Sequence, residues 1–149
     1  MNSAHSQDLR IAISAALPVA FVIPLNLDCR ALPTAFRRRR CLIIAAGFYE
    51  WRQGDIVPHY ITLNLQEPMP FAGLWETWDG PDGLTDSCTL CTTEANDMMG
   101  RLHTRMPIIL PHDSIDRWLN PQTQEVAQLK ALRGSIPAKT WFRAGIGRS

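Results

Sequence analysis

The chain has 149 residues, of which 46% are hydrophobic and 19% charged. That suits one domain with a packed core and excludes a disordered or low-complexity chain. The formal net charge of +1 conceals a segregation: residues 1–52 carry +4, residues 53–99 carry −8 and residues 100–149 carry +5. Thirteen of the fifteen basic residues are arginine, whose planar fork matches phosphate better than a lysine point charge. A fold that joins the two basic ends would present a one-sided positive surface; the competing reading is that the acidic middle pairs with those ends.

The apolar stretch 11–25 is shorter than the ~20 residues a membrane span needs. Pro18 and Pro24 interrupt it, and no clean cleavage site follows it, so neither a span nor a signal peptide is expected. Residues 41–46 are a continuous apolar run, with Phe48 to Trp51 continuing it in aromatics after Gly47. Gln53-Gly54-Asp55 marks a turn, and residues 59–65 then alternate, with Ile61, Leu63 and Leu65 on one face. Residues 71–78 form a third strand candidate, Asp79 to Gly83 a loop, and residues 87–93 a fourth strand. These four read as an antiparallel meander. Residues 94–104 suggest a short helical turn plus a loop, and residues 106–110 a fifth strand. A helix follows, capped by Asp113 or Ser114 and broken at Asn120-Pro121, and a second helix is expected over 123–133, stopped by Gly134. The fold class expected is α+β: a mainly antiparallel, barrel-like β-sheet with a few short helices.

Four cysteines, Cys29, Cys41, Cys88 and Cys91, could form two disulfides, yet 149 residues need no staples. Cys88 and Cys91 lie three apart on a strand, so they point to opposite faces and do not chelate one metal. No metal and no cofactor is expected. The compartment expected is the cytoplasm, with reduced thiols.

Four segments could carry chemistry. In Gly47-Phe48-Tyr49-Glu50-Trp51 a carboxylate stands among three aromatics. Desolvation there would raise its pKa toward neutrality and suit a proton shuttle, while the plainer alternative is a strand-end glutamate whose head reaches water. In Leu102-His103-Thr104-Arg105-Met106-Pro107 the imidazole can give or take a proton, Arg105 could hold a phosphate, and Pro107 keeps Met106 extended. A surface-loop histidine is the alternative. The run Arg37-Arg38-Arg39-Arg40, taken as extended chain, alternates faces, so about half of it can meet one phosphate backbone and the rest stays solvated. Thr92 and Thr93 can donate to a phosphate or sugar, or simply fill a strand.

These pieces occur together and in order. Phe36 to Leu42, GFYEW at 47–51, FAGLWETW at 71–78, TTEAND at 92–97 and LHTRMPIILP at 102–111 resemble, segment by segment, the SRAP family, abasic-site processing proteins once called SOS response-associated peptidases. The resemblance runs from about Arg30 to Asn120. It implies action on abasic sites in single-stranded DNA, where the ring-opened sugar exposes an aldehyde. Family members attack that aldehyde with an N-terminal cysteine, whose α-amine, with a pKa of ~8, and thiol together close a thiazolidine crosslink. The resemblance makes Glu50 and His103 the catalytic proton carriers. It places Arg37, Arg39, Trp51, Thr92 and Arg105 against DNA.

The chain departs from the family pattern where it begins Met1-Asn2, in residues 1–29, in residues 135–149 and at Thr104, where the family has aspartate. Three parts are therefore expected: a divergent segment 1–29, an SRAP-like domain 30–134 and a divergent tail 135–149, with the sheet incomplete. Internal cysteines have no free α-amine, so crosslinking is expected to be impaired, and an imine from Met1, Lys130 or Lys139 would support at most weak strand cleavage. The partner expected is single-stranded DNA containing abasic sites, bound by a monomer with no membrane attachment. The alternatives are a non-covalent single-stranded DNA-binding module and, third, a peptidase using Glu50 and His103.

Overall fold

A computed structural model describes residues 11–13, 21–25, 33–52, 54, 56–63, 67–123 and 141–145. In chain order the elements are β1 (Ile11–Ile13), β2 (Phe21–Leu25), α1 (Pro33–Arg38), β3 (Arg40–Ala45), β4 (Phe48–Trp51), β5 (Pro58–Leu63), β6 (Met69–Gly80) and β7 (Gly83–Glu94). A 3₁₀ turn (Met99–Arg101), β8 (Arg105–Pro107), α2 (His112–Leu119) and β9 (Trp141–Gly145) follow. The apolar stretch 11–25 thus supplies two short strands, and among the described residues no helix is long and apolar enough to cross a membrane. The helix expected over 123–133 lies outside the described residues beyond Thr123.

The strands form two sheets. The larger runs β1-β3-β6-β7-β2, with β8 on β7, and the smaller runs β4-β5-β9. Pairing is antiparallel except for β1 on β3 and β2 on β7. The fold is therefore α+β and mainly antiparallel, but its sheets are not closed into a barrel.

Strand alternation in β3 and β6 divides the core in two. Leu42, Ala72 and Leu74 point to one face, where Ala35 and Phe36 of α1 and Trp118 of α2 cover them. Cys41, Ile43 and Phe71 point to the other, where they meet Ile61 and Leu63 of β5 and Met99, Leu102 and Met106 of the later loop. A strand buried on both faces reads as an unbroken apolar run, as residues 41–46 do. Cys91 and Cys88 obey the same rule: Cys91 lies in the helix-covered core and Cys88 packs against the other.

The four-strand meander is only partly realised. β6 and β7 form the expected hairpin, paired from Gly73↔Leu90 to Gly80↔Gly83, and Gly83 takes the left-handed φ of +102° that its turn needs. The run 41–51, however, breaks into two strands in different sheets: β3 pairs with β6, and β4 with β5. The crossing is at Gly47. A Cβ there would stand 2.5 Å from the Ile61 carbonyl oxygen and 2.6 Å from the Tyr60 ring, so only glycine lets the chain pass under Tyr60 into the smaller sheet. Phe48 then reaches back to Phe71, ring edge to ring face at 5.9 Å.

The arginine run is not extended chain either. Arg37 and Arg38 end α1, where positive charge suits the helix C-terminus. Arg40 opens β3 and is 7% exposed. Its guanidinium donates to the carbonyls of Phe36 (2.7 Å), Arg37 (2.6 Å), Asn120 (2.6 Å), Thr123 (3.0 Å) and Trp118. These are carbonyls left over where α1 and α2 end, so one side chain ties both helix ends to the sheet.

Candidate functional site

Thr92, His103 and Arg105, distant in sequence from Glu50, form one hydrogen-bonded unit. β8 lies beside the end of β7, in register Glu94↔Arg105. Arg105 Nη2 donates to the Thr92 carbonyl at 2.8 Å and hydroxyl at 2.9 Å, and Arg105 Nε reaches the same hydroxyl at 3.2 Å. The arginine is thereby clamped in one orientation, with Thr92 Oγ1 accepting from it and keeping its own O–H to donate.

The Arg105 backbone N–H donates to His103 Nδ1 at 3.1 Å. A ring nitrogen that accepts carries no proton, so the neutral imidazole holds its proton on Nε2. The Arg105 carbonyl lies 3.3 Å from the same Nδ1, the contact a protonated ring would use. His103 is exposed, while Leu102 before it and Met106 after it are buried anchors, each 4% exposed. An anchored loop thus presents an imidazole that can give or take a proton.

Glu50 stands on β4 of the smaller sheet. It shares a face of β4 with Phe48, and Phe48 packs against the core that holds Leu102 and Met106. The Glu50 strand and the His103 loop therefore border one hydrophobic core. Glu50 is half-buried, and its Oε1 accepts the Trp51 N–H at 3.1 Å. Of the two readings of GFYEW, the strand-end glutamate whose head reaches water is the one the strand geometry favours. Tyr49 and Trp51 take the opposite face of β4, about half exposed, and Tyr49 leans on Tyr60 with ring centroids 4.9 Å apart. His59, read from sequence only as a strand position, stands directly across from Glu50 in the β4–β5 register and shares its face. The signal that could have found it was the hairpin register itself, with Phe48 set opposite Ile61.

The arginines assigned to DNA separate. Arg37 is exposed on α1, which packs on the helix-covered face of the larger sheet, across that sheet from the core that Glu50 and His103 border. Arg39 is half-buried and ion-paired with Glu76 of β6. Trp51 points away from Glu50's face. Of the acidic residues in the middle of the chain, Asp79, Asp82 and Asp86 stand exposed on the outer half of the β6–β7 hairpin and give that end a negative potential.

Among the described residues Cys41, Cys88 and Cys91 are not in a disulfide. Burial, with a smaller contribution from Cys88, pushes the Cys41 thiol up to about 12, and burial raises Cys88 as well. Cys41 is 1% exposed and Cys91 fully buried, so neither presents its sulfur to an incoming substrate. No group of three or more histidine, cysteine or acidic residues stands ready to hold a metal among the described residues.

Comparison with known proteins places these features in context. A family model described as SOS response associated peptidase (SRAP) matches residues 29–144, a range that runs past residue 134 and takes in most of β9. The abasic site processing protein YoaM of Bacillus subtilis (strain 168) is 42% identical over 106 residues, covering 66% of this chain and 47% of YoaM. The abasic site processing protein HMCES of Xenopus tropicalis is 31% identical over 107 residues, covering 57% of this chain and 32% of HMCES. A crystal structure of a protein from Bacteroides thetaiotaomicron superposes with a TM-score of 0.70 at 23% identity, covering 76% of this chain and 52% of that one. A second, from Bordetella bronchiseptica, gives 0.67 at 27% identity, covering 76% and 58%. The chain spans about half the length of YoaM.

Proposed function

The chain belongs to the SOS response associated peptidase (SRAP) family, and on that footing we propose that it processes abasic sites in single-stranded DNA, with Glu50 and His103 as its proton carriers. The observation that carries this reading is the Thr92–Arg105–His103 unit, whose loop packs on the same core as the Glu50 strand. A ring-opened abasic sugar offers an aldehyde. One of the chain's amines, at Met1, Lys130 or Lys139, adds to that carbonyl carbon; its proton is taken by the Glu50 carboxylate and passed to the new alkoxide, giving a carbinolamine. The His103 imidazolium, its Nδ1–H on the Arg105 carbonyl, then donates from Nε2 so that the hydroxyl leaves as water, and a protonated imine remains. Positioned acid–base groups of this kind contribute about 10²–10⁴-fold. Arg105, clamped by Thr92, supplies positive charge at the flanking phosphate. Arg37, Arg39 and Trp51 act further along the strand, Arg39 only after giving up Glu76. The acting unit includes β1, β2 and β9, which lie outside 30–134 and pair into the two sheets, and it works as a monomer in the cytoplasm, where reduced thiols persist.

The test uses a labelled single-stranded oligonucleotide carrying one abasic site, with cyanoborohydride to reduce any imine to a stable amine. The expected result is an adduct or strand-cleavage product that needs the abasic site and falls at least tenfold in Glu50→Gln and in His103→Gln. Equal, salt-sensitive binding to intact and abasic strands with no abasic-dependent product would overturn the proposal in favour of a non-covalent binding module. Cleavage of a generic peptide, abolished by Glu50→Gln, would favour the peptidase instead.

A further inference from the structure

We propose that Asn96 is a positioning residue that fixes where the His103 imidazole stands, an inference that rests on the role just given to His103. Asn96 lies in the TTEAND segment, before the 3₁₀ turn (Met99–Arg101). Its side-chain Oδ1 accepts the Met99 N–H at 3.0 Å, and its backbone carbonyl accepts the Gly100 N–H at 2.8 Å. Met98, which precedes the turn, supplies no side-chain cap, so Asn96 does what a capping residue does from two positions further back. The Met99 carbonyl then accepts both the Leu102 N–H at 2.8 Å and the His103 N–H at 2.9 Å. Met99 itself is fully buried. The backbone of His103 therefore hangs from one peptide oxygen, on a residue whose own N–H is held by Asn96. Ala95 closes the loop from the other side, its N–H donating to the Thr104 carbonyl at 3.0 Å.

The Asn96 amide is asymmetric in a way that makes the idea testable. Its Oδ1 is used, while its Nδ2 is buried with no hydrogen-bond partner among the described residues. A carboxylate in its place keeps the acceptor for the Met99 N–H and replaces the unmatched donor by an unmatched oxygen, a cost to stability rather than to that bond. Alanine removes both the acceptor and the donor. If Asn96 matters through its Oδ1, aspartate preserves the position of His103 and alanine does not.

The experiment compares Asn96→Ala and Asn96→Asp in the full chain by two readouts. The first is the ¹H–¹⁵N correlation of the His103 ring, which distinguishes an accepting Nδ1 with Nε2–H from an averaged pair of tautomers. Wild type and Asn96→Asp should give the fixed pattern and Asn96→Ala the averaged one. The second is processing of the abasic oligonucleotide. Asn96→Ala should lose about ten- to a hundredfold in kcat, the size expected when a catalytic group is misplaced by about an ångström. Its KM should change by less than about threefold, and Asn96→Asp should stay within about threefold of wild type in both. An unchanged ring pattern in Asn96→Ala overturns the proposal. So does an averaged pattern in Asn96→Asp, which decides the matter even if the alanine variant does not fold. Absence of any abasic-dependent product from the wild type would sink the functional reading alone, and the ring pattern would still judge Asn96.

Discussion

Replacing Arg40 by alanine should cost about 3–5 kcal/mol of stability, because several buried carbonyls lose their donor at about 1–3 kcal/mol each and some recover water. The number follows from the geometry at the start of β3. Five carbonyl oxygens accept from one guanidinium: those of Phe36 and Arg37 at the end of α1, and those of Trp118, Asn120 and Thr123 at and beyond the end of α2. The charge also lies 5.8 Å from the centre of the Trp118 ring. Hydrogen bonds to an ion are each worth about 1.5–3 kcal/mol, but a simple sum overstates the loss. Burial already disfavours this charge, lowering its pKa from the ordinary arginine value, and some carbonyls would regain water after truncation. The remainder is still a large part of the ~5–15 kcal/mol that holds a typical domain together. Urea unfolding at neutral pH reads it as a lower midpoint with unchanged slope. Arg40→Lys should lose roughly half as much, because one ammonium cannot span both helix ends. Arg37→Ala and Arg38→Ala, both exposed, should stay within about 0.5 kcal/mol of wild type. A similarly small change in Arg40→Ala would refute the reasoning and mean that water serves those carbonyls equally well.

Gly47→Ala should destabilise by about 1–3 kcal/mol, as an overpacked site does. The new Cβ meets a backbone oxygen at 2.5 Å, and the same unfolding assay measures the loss; a neutral result would contradict the crossing under Tyr60. Thr92→Val removes the hydroxyl that Arg105 holds twice and leaves the Thr92 carbonyl contact. About 1 kcal/mol should be lost, and the His103 ring signals should shift in the nuclear magnetic resonance spectrum. The Cys41 thiol, raised from 9.0 to about 12, gives an alkaline signature. The folded protein favours the neutral thiol, so its contribution to stability is complete below pH 9 and fades as the pH rises toward 12. Urea midpoints at pH 7.5 and 10.5 should therefore differ less in Cys41→Ala than in wild type, and an equal fall in both would refute the assignment.

The sequence made some features legible and hid others for physical reasons. The apolar run at 41–46, the alternation at 59–65 and the loop signal between 71–78 and 87–93 located β3, β5, β6 and β7, because each needs only local information. They could not reveal that Gly47 sends the chain into a second sheet, since the cause is the distant Tyr60 ring. The arginine run looked uniform, yet Arg40 is buried by helix ends about eighty residues away while Arg37 faces solvent. Of the candidate site, the His103–Arg105 pair lay within one short segment, and its link to Thr92 followed once β8 was laid beside β7. His59 opposite Glu50 and Asn96 beneath Met99 were hidden because their significance lies in a register and a turn. The opposite faces of Glu50 and Trp51 were legible too, since strand alternation alone sets them.

The most direct test of the account is a titration of the protein with single-stranded DNA carrying a tetrahydrofuran analogue of the abasic sugar, which binds but cannot react. If Glu50 and His103 serve one sugar, the Glu50 carboxyl carbon and the His103 Nε2 should shift along a single saturation curve, and intact DNA should not reproduce it. A shift confined to one of the two groups, or the same shifts with intact DNA, would contradict the account.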